Sequence, residues 1–150
     1  AEVEDPKKLM ESIRTISEGA IRLYQPNKVL GLAEGIETAI AVRSATKMPI
    51  WSTINANGLV SVAIPEGITH VVIWADLDAS GTGQNAAIRL HHRLVESGYS
   101  VTIMLPPGSI PKGCKSVDWL DVLVQSGVKA FPSVKRIMEV DHPKQAIGSP

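Results

Sequence analysis

Val71-Val72-Ile73-Trp74-Ala75-Asp76-Leu77-Asp78-Ala79-Ser80-Gly81-Thr82-Gly83 decides how the rest of the chain is read. An apolar run ends in two carboxylates one residue apart, and small residues and glycines follow at once. The run reads as a buried strand, and Gly81 and Gly83 interrupt it before a helical pattern begins. If extended backbone persists to Asp78, alternate side chains share a side, so Asp76 and Asp78 aim together beyond the strand's carboxyl end. Two carboxylates ~4 Å apart repel by roughly 4 kcal/mol at an effective dielectric of about 20. A divalent cation held by oxygen ligands removes that conflict, which makes the pair a candidate Mg²⁺ site. The plainer alternative is a pair of turn-forming aspartates that cap the next helix.

Working outward, apolar strands alternate with helical patterns. Lys28–Ala33 reads as a strand that delivers Glu34 and Gly35 at its end, and Ile36–Ala45 as the helix that follows. Pro49–Thr53 is a second strand, with Asn55, Asn57 and Gly58 as turn residues and Leu59–Ile64 as a short helix. After the Asp76 strand come a helix over Gln84–Ser97, a fourth strand over Tyr99–Leu105 and a helix over Val117–Ser126. A helix is also expected over Pro6–Glu18, where Leu9, Ile13 and Ile16 recur at helical spacing. Beyond Phe131 the pattern decays into a polar segment, read as a partly disordered extension or linker. The alternation predicts an α/β fold with about four parallel strands flanked by helices. In such sheets functional groups gather beyond the carboxyl ends of the strands. Glu34, Asp76 and Asp78 all fall on that edge.

The totals bound the function. With 150 residues, 44% of them hydrophobic and 20% charged, the chain has the composition of an ordinary globular domain. Its formal net charge is zero, which gives no support to a broad basic nucleic-acid surface. Cys114 is alone, so neither an intrachain disulfide nor a CxxC zinc site can form. No apolar run is long enough to span a membrane, and no signal-peptide core opens the chain. A cytoplasmic location is expected. The first residue is Ala1 rather than Met, so a fragment of a longer protein is expected too.

Each candidate residue has two readings. Glu34 is either a third acid beside a metal and a general base, or a surface glutamate favoured by the dipole of the following helix. Glu37, one turn on, reads as solvated. Gly81-Thr82-Gly83 suits either a phosphate at a helix start or a tight turn. In Lys112-Gly113-Cys114-Lys115-Ser116-Val117-Asp118-Trp119-Leu120-Asp121, Ser116 reads as a helix cap and Asp118 as a complement to the helix dipole. The functional reading brings Asp118 and Lys115 to the rim of the acidic site. His91 and His92 read as surface or packing residues, and Cys114 has no partner for nucleophilic chemistry. Trp51, Trp74 and Trp119 read as packing residues, with base stacking open to Trp119 alone.

Leu30-Gly31-Leu32-Ala33-Glu34-Gly35-Ile36-Glu37-Thr38-Ala39, with Ala75-Asp76-Leu77-Asp78 further on, resembles the Toprim domain. That compact, Rossmann-like module is shared by bacterial primases, type IA and type II topoisomerases, OLD-type nucleases and recombination proteins. The likeness is closer to primases and primase-helicases of phages, plasmids and integrating elements. Gly19–Leu23, Asn57-Gly58-Leu59 and Lys115–Leu123 carry that narrower match. The resemblance implies a Toprim domain over residues 19–127, with residues 1–18 ahead of it and an extension over residues 128–150. It implies catalytic roles for Glu34, Asp76 and Asp78, with Glu34 doing acid/base work. Glu34, Asp76, Asp78 and Asp118 would be the residues that hold Mg²⁺ (or Mn²⁺). Many primases place an Asp four residues after the glutamate, where this chain has Thr38 beside Glu37; Glu37 is therefore not assigned a catalytic role.

The function this implies is metal-dependent nucleotidyl transfer in RNA primer synthesis by a DNA primase that serves replication of a phage or mobile element. The implied partners are a single-stranded DNA template, nucleoside triphosphates, an upstream DNA-binding region and a helicase of the same parent protein, with no membrane. Without the DNA-gripping part, little primer synthesis is expected from this chain alone. Two alternatives remain: a Toprim nuclease or topoisomerase-type DNA-cleavage module, and a non-catalytic Toprim scaffold. A haloacid-dehalogenase-like phosphatase fails on order, because its Asp-x-Asp lies on the first strand and Glu34 would have no role.

Overall fold

Large and β-branched apolar residues concentrate in four short segments, and each becomes a parallel strand of a single sheet. The computed structural model describes residues 21–23 and 28–141. In chain order the elements are β1 (Ile21–Leu23), β2 (Val29–Ala33), α1 (Ile36–Thr46), β3 (Ile50–Ser52) and α2 (Ala56–Ser61). Then come β4 (His70–Trp74), β5 (Leu77–Asp78), α3 (Thr82–Glu96), β6 (Ser100–Met104) and β7 (Ser116–Val117). A helix α4 (Trp119–Ser126), a 3-10 turn (Val128–Ala130) and α5 (Val134–Asp141) close the described chain. The main sheet has the order β1-β3-β2-β4-β6. Its last four members are parallel, as expected, while β1 runs antiparallel along the edge of β3.

The centre of the sheet is apolar on both faces. All five residues of β4 are buried, and alternate positions feed two separate cores. Leu30, Leu32, Val71 and Ile73 pack with Leu59 of α2 and with Ala86, Leu90 and Leu94 of α3. Ala33, Val72 and Trp74 pack with Ala39 and Val42 of α1 and with Trp119 and Val122 of α4. Helices therefore cover both faces of the sheet.

The order of connections sets the position of the site. From β2 the chain crosses through α1 to β3 on one side, then returns through α2 to β4 on the other side of β2. The direction of winding reverses between β2 and β4. The crevice beyond the carboxyl ends of such a pair is where open α/β sheets bind ligands.

Three differences from expectation have local reasons. The helix expected at Leu59–Ile64 is α2, over Ala56–Ser61, because the Asn55 side chain accepts the Gly58 N–H at 2.8 Å and starts the helix early. Gly58 is required there, since a Cβ would lie 2.4 Å from the Thr53 carbonyl oxygen. The helix expected from Val117 begins at Trp119, because Ser116 and Val117 pair with β5. The third difference lies after Phe131, where a partly disordered extension is expected and a folded segment is found. Ser133 Oγ accepts the Arg136 N–H at 3.1 Å, as an N-cap does, and α5 places Ile137 in the core with Trp119 and Phe131. The expected helix at Pro6–Glu18 and the residues after 141 lie outside the described residues.

Burial of Ile137 predicts that Ile137→Ala lowers stability by roughly 2–4 kcal/mol. Val124→Ala, at a site 77% exposed, changes it by no more than about 0.5 kcal/mol. Urea unfolding midpoints read both, and equal midpoints for the two variants would remove α5 from the core.

Candidate metal centre and active site

Glu34 stands one residue beyond β2, and its backbone is fixed by the neighbouring strand. The Thr53 N–H donates to the Ala33 carbonyl at 2.8 Å, and the Ser52 hydroxyl donates to the Glu34 carbonyl at 3.1 Å. Gly35 then turns the chain into α1 in extended conformation. The Glu34 carboxyl is partly buried. Burial raises its pKa above the ordinary glutamate range, and the nearby Asp78 carboxylate raises it further.

Asp76 is reached by a break in the strand rather than by its continuation. The Ala75 N–H still donates to the Met104 carbonyl at 3.0 Å, but the Ala75 carbonyl accepts the Trp119 indole N–H at 3.1 Å. That carbonyl is drawn away from the sheet, and β4 stops at Trp74. Asp76 then accepts the Thr38 hydroxyl on Oδ1 at 2.8 Å and the backbone N–H of Trp119. Its pKa is pushed up to about 6, chiefly by burial, with the Asp118 and Glu34 carboxylates adding to the rise. The hydrogen bonds from Thr38 and Trp119 oppose it.

Asp78 belongs to a different element. It lies on β5, which pairs antiparallel with β7 so that Asp78 faces Ser116 and Leu77 faces Val117. The expectation that Asp76 and Asp78 share one side of one continuous strand is therefore corrected: two short segments bring them to the same edge. The Asp78 carboxylate accepts the Ser80 hydroxyl on Oδ1 and the Gly83 N–H on Oδ2 at 3.0 Å. The Ser80 hydroxyl, with backbone N–H groups of Gly81, Thr82 and Gly83, holds its pKa below the ordinary aspartate range. Two aspartates two residues apart are thus shifted in opposite directions.

Asp118 reaches the rim, but as a helix cap. Its Oδ1 accepts the Asp121 N–H at 2.8 Å, while Asp121 Oδ2 accepts the Asp118 N–H at 3.0 Å. The two acids close a reciprocal capping box at the start of α4. The cap is Asp118, not Ser116, which is committed to β7. Burial raises the Asp118 pKa first, and the adjacent Asp121 and Glu37 carboxylates contribute to the rise. Trp119 is not available for base stacking. It is buried, with its ring centroid 4.9 Å from that of Trp74 in an edge-to-face contact and 5.0 Å from that of Phe131. Lys115 and Cys114 are exposed beside the β5–β7 ribbon, where the Lys115 carbonyl accepts the Ala79 N–H.

The acids fall into two pairs. Asp76 and Asp118 are tied into Thr38, Trp119 and Asp121. Glu34 and Asp78 converge on the start of α3, where a Cβ on Gly83 would lie 3.1 Å from Asp78 Oδ2 and 3.6 Å from Glu34 Oε2. Among the described residues, no three His, Cys, Asp or Glu side chains form a group that could by itself hold a metal ion. Two converging carboxylates nevertheless fit Mg²⁺. That ion keeps several waters and is held through one or two carboxylates plus substrate phosphates rather than by an all-protein cage. Among the described residues, no helix is long and apolar enough to cross a membrane.

A mainly parallel sheet with carboxylates gathered beyond its switch point places the acids where open α/β sheets bind ligands. The chain matches the pattern of the Toprim domain over residues 29–129 and belongs to the Toprim family. It therefore carries the catalytic module of metal-dependent enzymes that act on nucleic acids, among them primases, nucleases and topoisomerases. No curated protein and no solved structure matched the chain.

Several residues that build this site were not assigned from the sequence. Thr38 is buried on the inner face of α1, beside Ala39, Ala41 and Val42, and a hydroxyl in such a row signals a specific partner. Trp119 supplies two N–H donors to the Ala75–Asp76 corner. Burial of charge at Asp76 leads to a prediction with a definite sign. The folded pKa, about 6, lies above the 3.8 of an aspartate in water, so the folded state binds the proton more tightly. In metal-free buffer Asp76→Asn is expected to be more stable than wild type at pH above about 7, by several degrees in melting temperature. The difference shrinks as pH falls through 6 and vanishes below 3.8. A difference that does not vary with pH would contradict this account.

Proposed function

We propose that this chain is the Toprim catalytic module of a DNA primase, which joins ribonucleotides into a primer on single-stranded DNA. The observation that carries the reading is the convergence of Glu34 and Asp78 beside Gly83, at the switch point of the sheet, with Asp76 behind them. Glu34 is the general base. Partly desolvated and next to another carboxylate, it accepts the proton of the primer 3′-hydroxyl as that oxygen bonds to the α-phosphorus of the incoming nucleotide. Pyrophosphate departs with the electron pair of the broken bond. Mg²⁺ or Mn²⁺, when bound by Glu34 and Asp78 with Asp76 and Asp118 near, supplies charge stabilisation for the transferring phosphoryl group. Asp78 stays ionised because Ser80 and the backbone N–H groups of residues 81–83 hold its charge. Thr38 and Trp119 fix the Asp76 carboxylate against the core.

The module needs a separate DNA-holding region, because its net charge of zero supplies no broad basic surface. The narrower sequence likeness to primases of phages and mobile elements favours priming over cleavage. With Mn²⁺, single-stranded DNA and nucleoside triphosphates, residues 1–150 are expected to bind metal and to make only traces of primer. Glu34→Gln should lower that yield by a further ~10²–10⁴-fold, and Asp76→Asn should lower it as well. Metal-dependent nicking of duplex DNA in place of primers would replace the primase reading with a nuclease one. Metal-dependent synthesis unchanged in Asp76→Asn would remove Asp76 from the centre.

A further inference from the structure

We propose that Gly83 keeps the gap between Glu34 and Asp78 open, so that a hydrated divalent cation is admitted because this position of α3 has no side chain. The inference rests on the metal-dependent reading above and extends it to a residue outside the acidic set. Gly83 is the second residue of α3 and is buried. Its backbone does not need a glycine. Gly81, the residue that caps the helix, takes a left-handed φ of 77°, whereas Gly83 has no such angle. In an ordinary helical conformation alanine is the more stable choice, so the glycine is unfavourable to the helix.

What accounts for it is the space in front of it. The three nearest atoms to a Cβ at this position are all oxygens: Asp78 Oδ2 at 3.1 Å, Glu34 Oε2 at 3.6 Å and the Asp76 carbonyl oxygen at 3.8 Å. A methyl group there would sit among acceptors, too close to Asp78 for ordinary contact. The Asp78 carboxylate, which now accepts the Gly83 N–H at 3.0 Å, would have to give way by a few tenths of an ångström. Gly83 thus does two things at once: its N–H anchors one carboxylate, and its missing side chain leaves the room between the two carboxylates unfilled. Alanine keeps the N–H and removes only the space.

The test measures Mn²⁺ binding to residues 1–150 by the loss of the free-ion paramagnetic resonance signal, together with melting temperatures with and without Mn²⁺. Wild type, Gly83→Ala and Asp78→Asn are compared. Gly83→Ala is expected to melt at or above the wild-type temperature without metal. Its Mn²⁺ affinity should fall on the order of 10–100-fold, and the metal-dependent rise in melting temperature should be lost, as in Asp78→Asn. Unchanged Mn²⁺ affinity in Gly83→Ala would overturn the inference while wild-type binding still upholds the metal centre. Loss of the metal-free fold in Gly83→Ala would also overturn it, since the glycine would then serve the fold. A wild-type chain that binds no Mn²⁺ would end the metal reading itself, and this inference with it.

Discussion

Five consecutive pairs join β2 to β4 in parallel, from Val29 opposite His70 to Ala33 opposite Trp74, and the functional side chains take their positions from that ladder. Glu34 lies one residue past its end on one strand and Asp76 two residues past it on the other. Register is strictly set where both faces of a strand are buried, because a slip of one residue exchanges its two faces. Here a slip would send Trp74 and Val72 into the core that holds Leu90 and Leu94, and Val71 and Ile73 into the one that holds Trp119. The two cores thereby fix the placement of Glu34 relative to Asp76.

The acids are held against their own preference. Glu34, Asp76 and Asp118 are each desolvated and set near like charge, which raises the pKa of all three. Only Asp78 is stabilised as an anion, by a hydroxyl and a row of backbone N–H groups. Such a cluster persists because the surrounding packing is rigid. Trp74, Trp119 and Phe131 form an aromatic group under the Ala75–Asp76 corner, and the Trp119 indole N–H fastens that corner from below. Unfavourable charge at a site supported by a favourable core is the usual arrangement where a cation is to be received.

The central strands were legible because burial on both faces demands unbroken apolar runs, and Val71–Trp74 is one. The place of Glu34 and of Asp76 and Asp78 at the carboxyl edge followed from strand–helix alternation alone. The β5–β7 ribbon was not legible. Each of its strands is two residues long, too short for any periodicity, and they are paired across the whole of α3 and β6. The break after Trp74 was hidden for a related reason, since it depends on an indole N–H from Trp119, far along the chain. Thr38 looked like a departure from a family acid, and only its position opposite Asp76 gives it a role. Two further signals are present in the sequence itself. Asp118 and Asp121 have the spacing of a reciprocal cap, although with Asp where Glu or Gln is usual. Val134 and Ile137 stand three apart after Ser133, as an amphipathic helix with an N-cap requires.

The short β5–β7 ribbon gives Asp78 a support that Glu34 and Asp76 do not share. Glu34 and Asp76 are fastened to the main sheet and its packed helices, whereas Asp78 is paired with Ser116 at the end of the exposed segment that leaves β6. Residues 105–116 are largely exposed, and their pairing with β5 is confined to two residue pairs, with the Ala79–Lys115 hydrogen bond alongside. Asp78 is also tied to the start of α3, through the Gly83 N–H at 3.0 Å and through the Gln84 side-chain amide, which donates to its carbonyl at 3.1 Å. One carboxylate of the acidic centre is thus held from two sides, by the start of α3 and by the exposed segment that returns from β6.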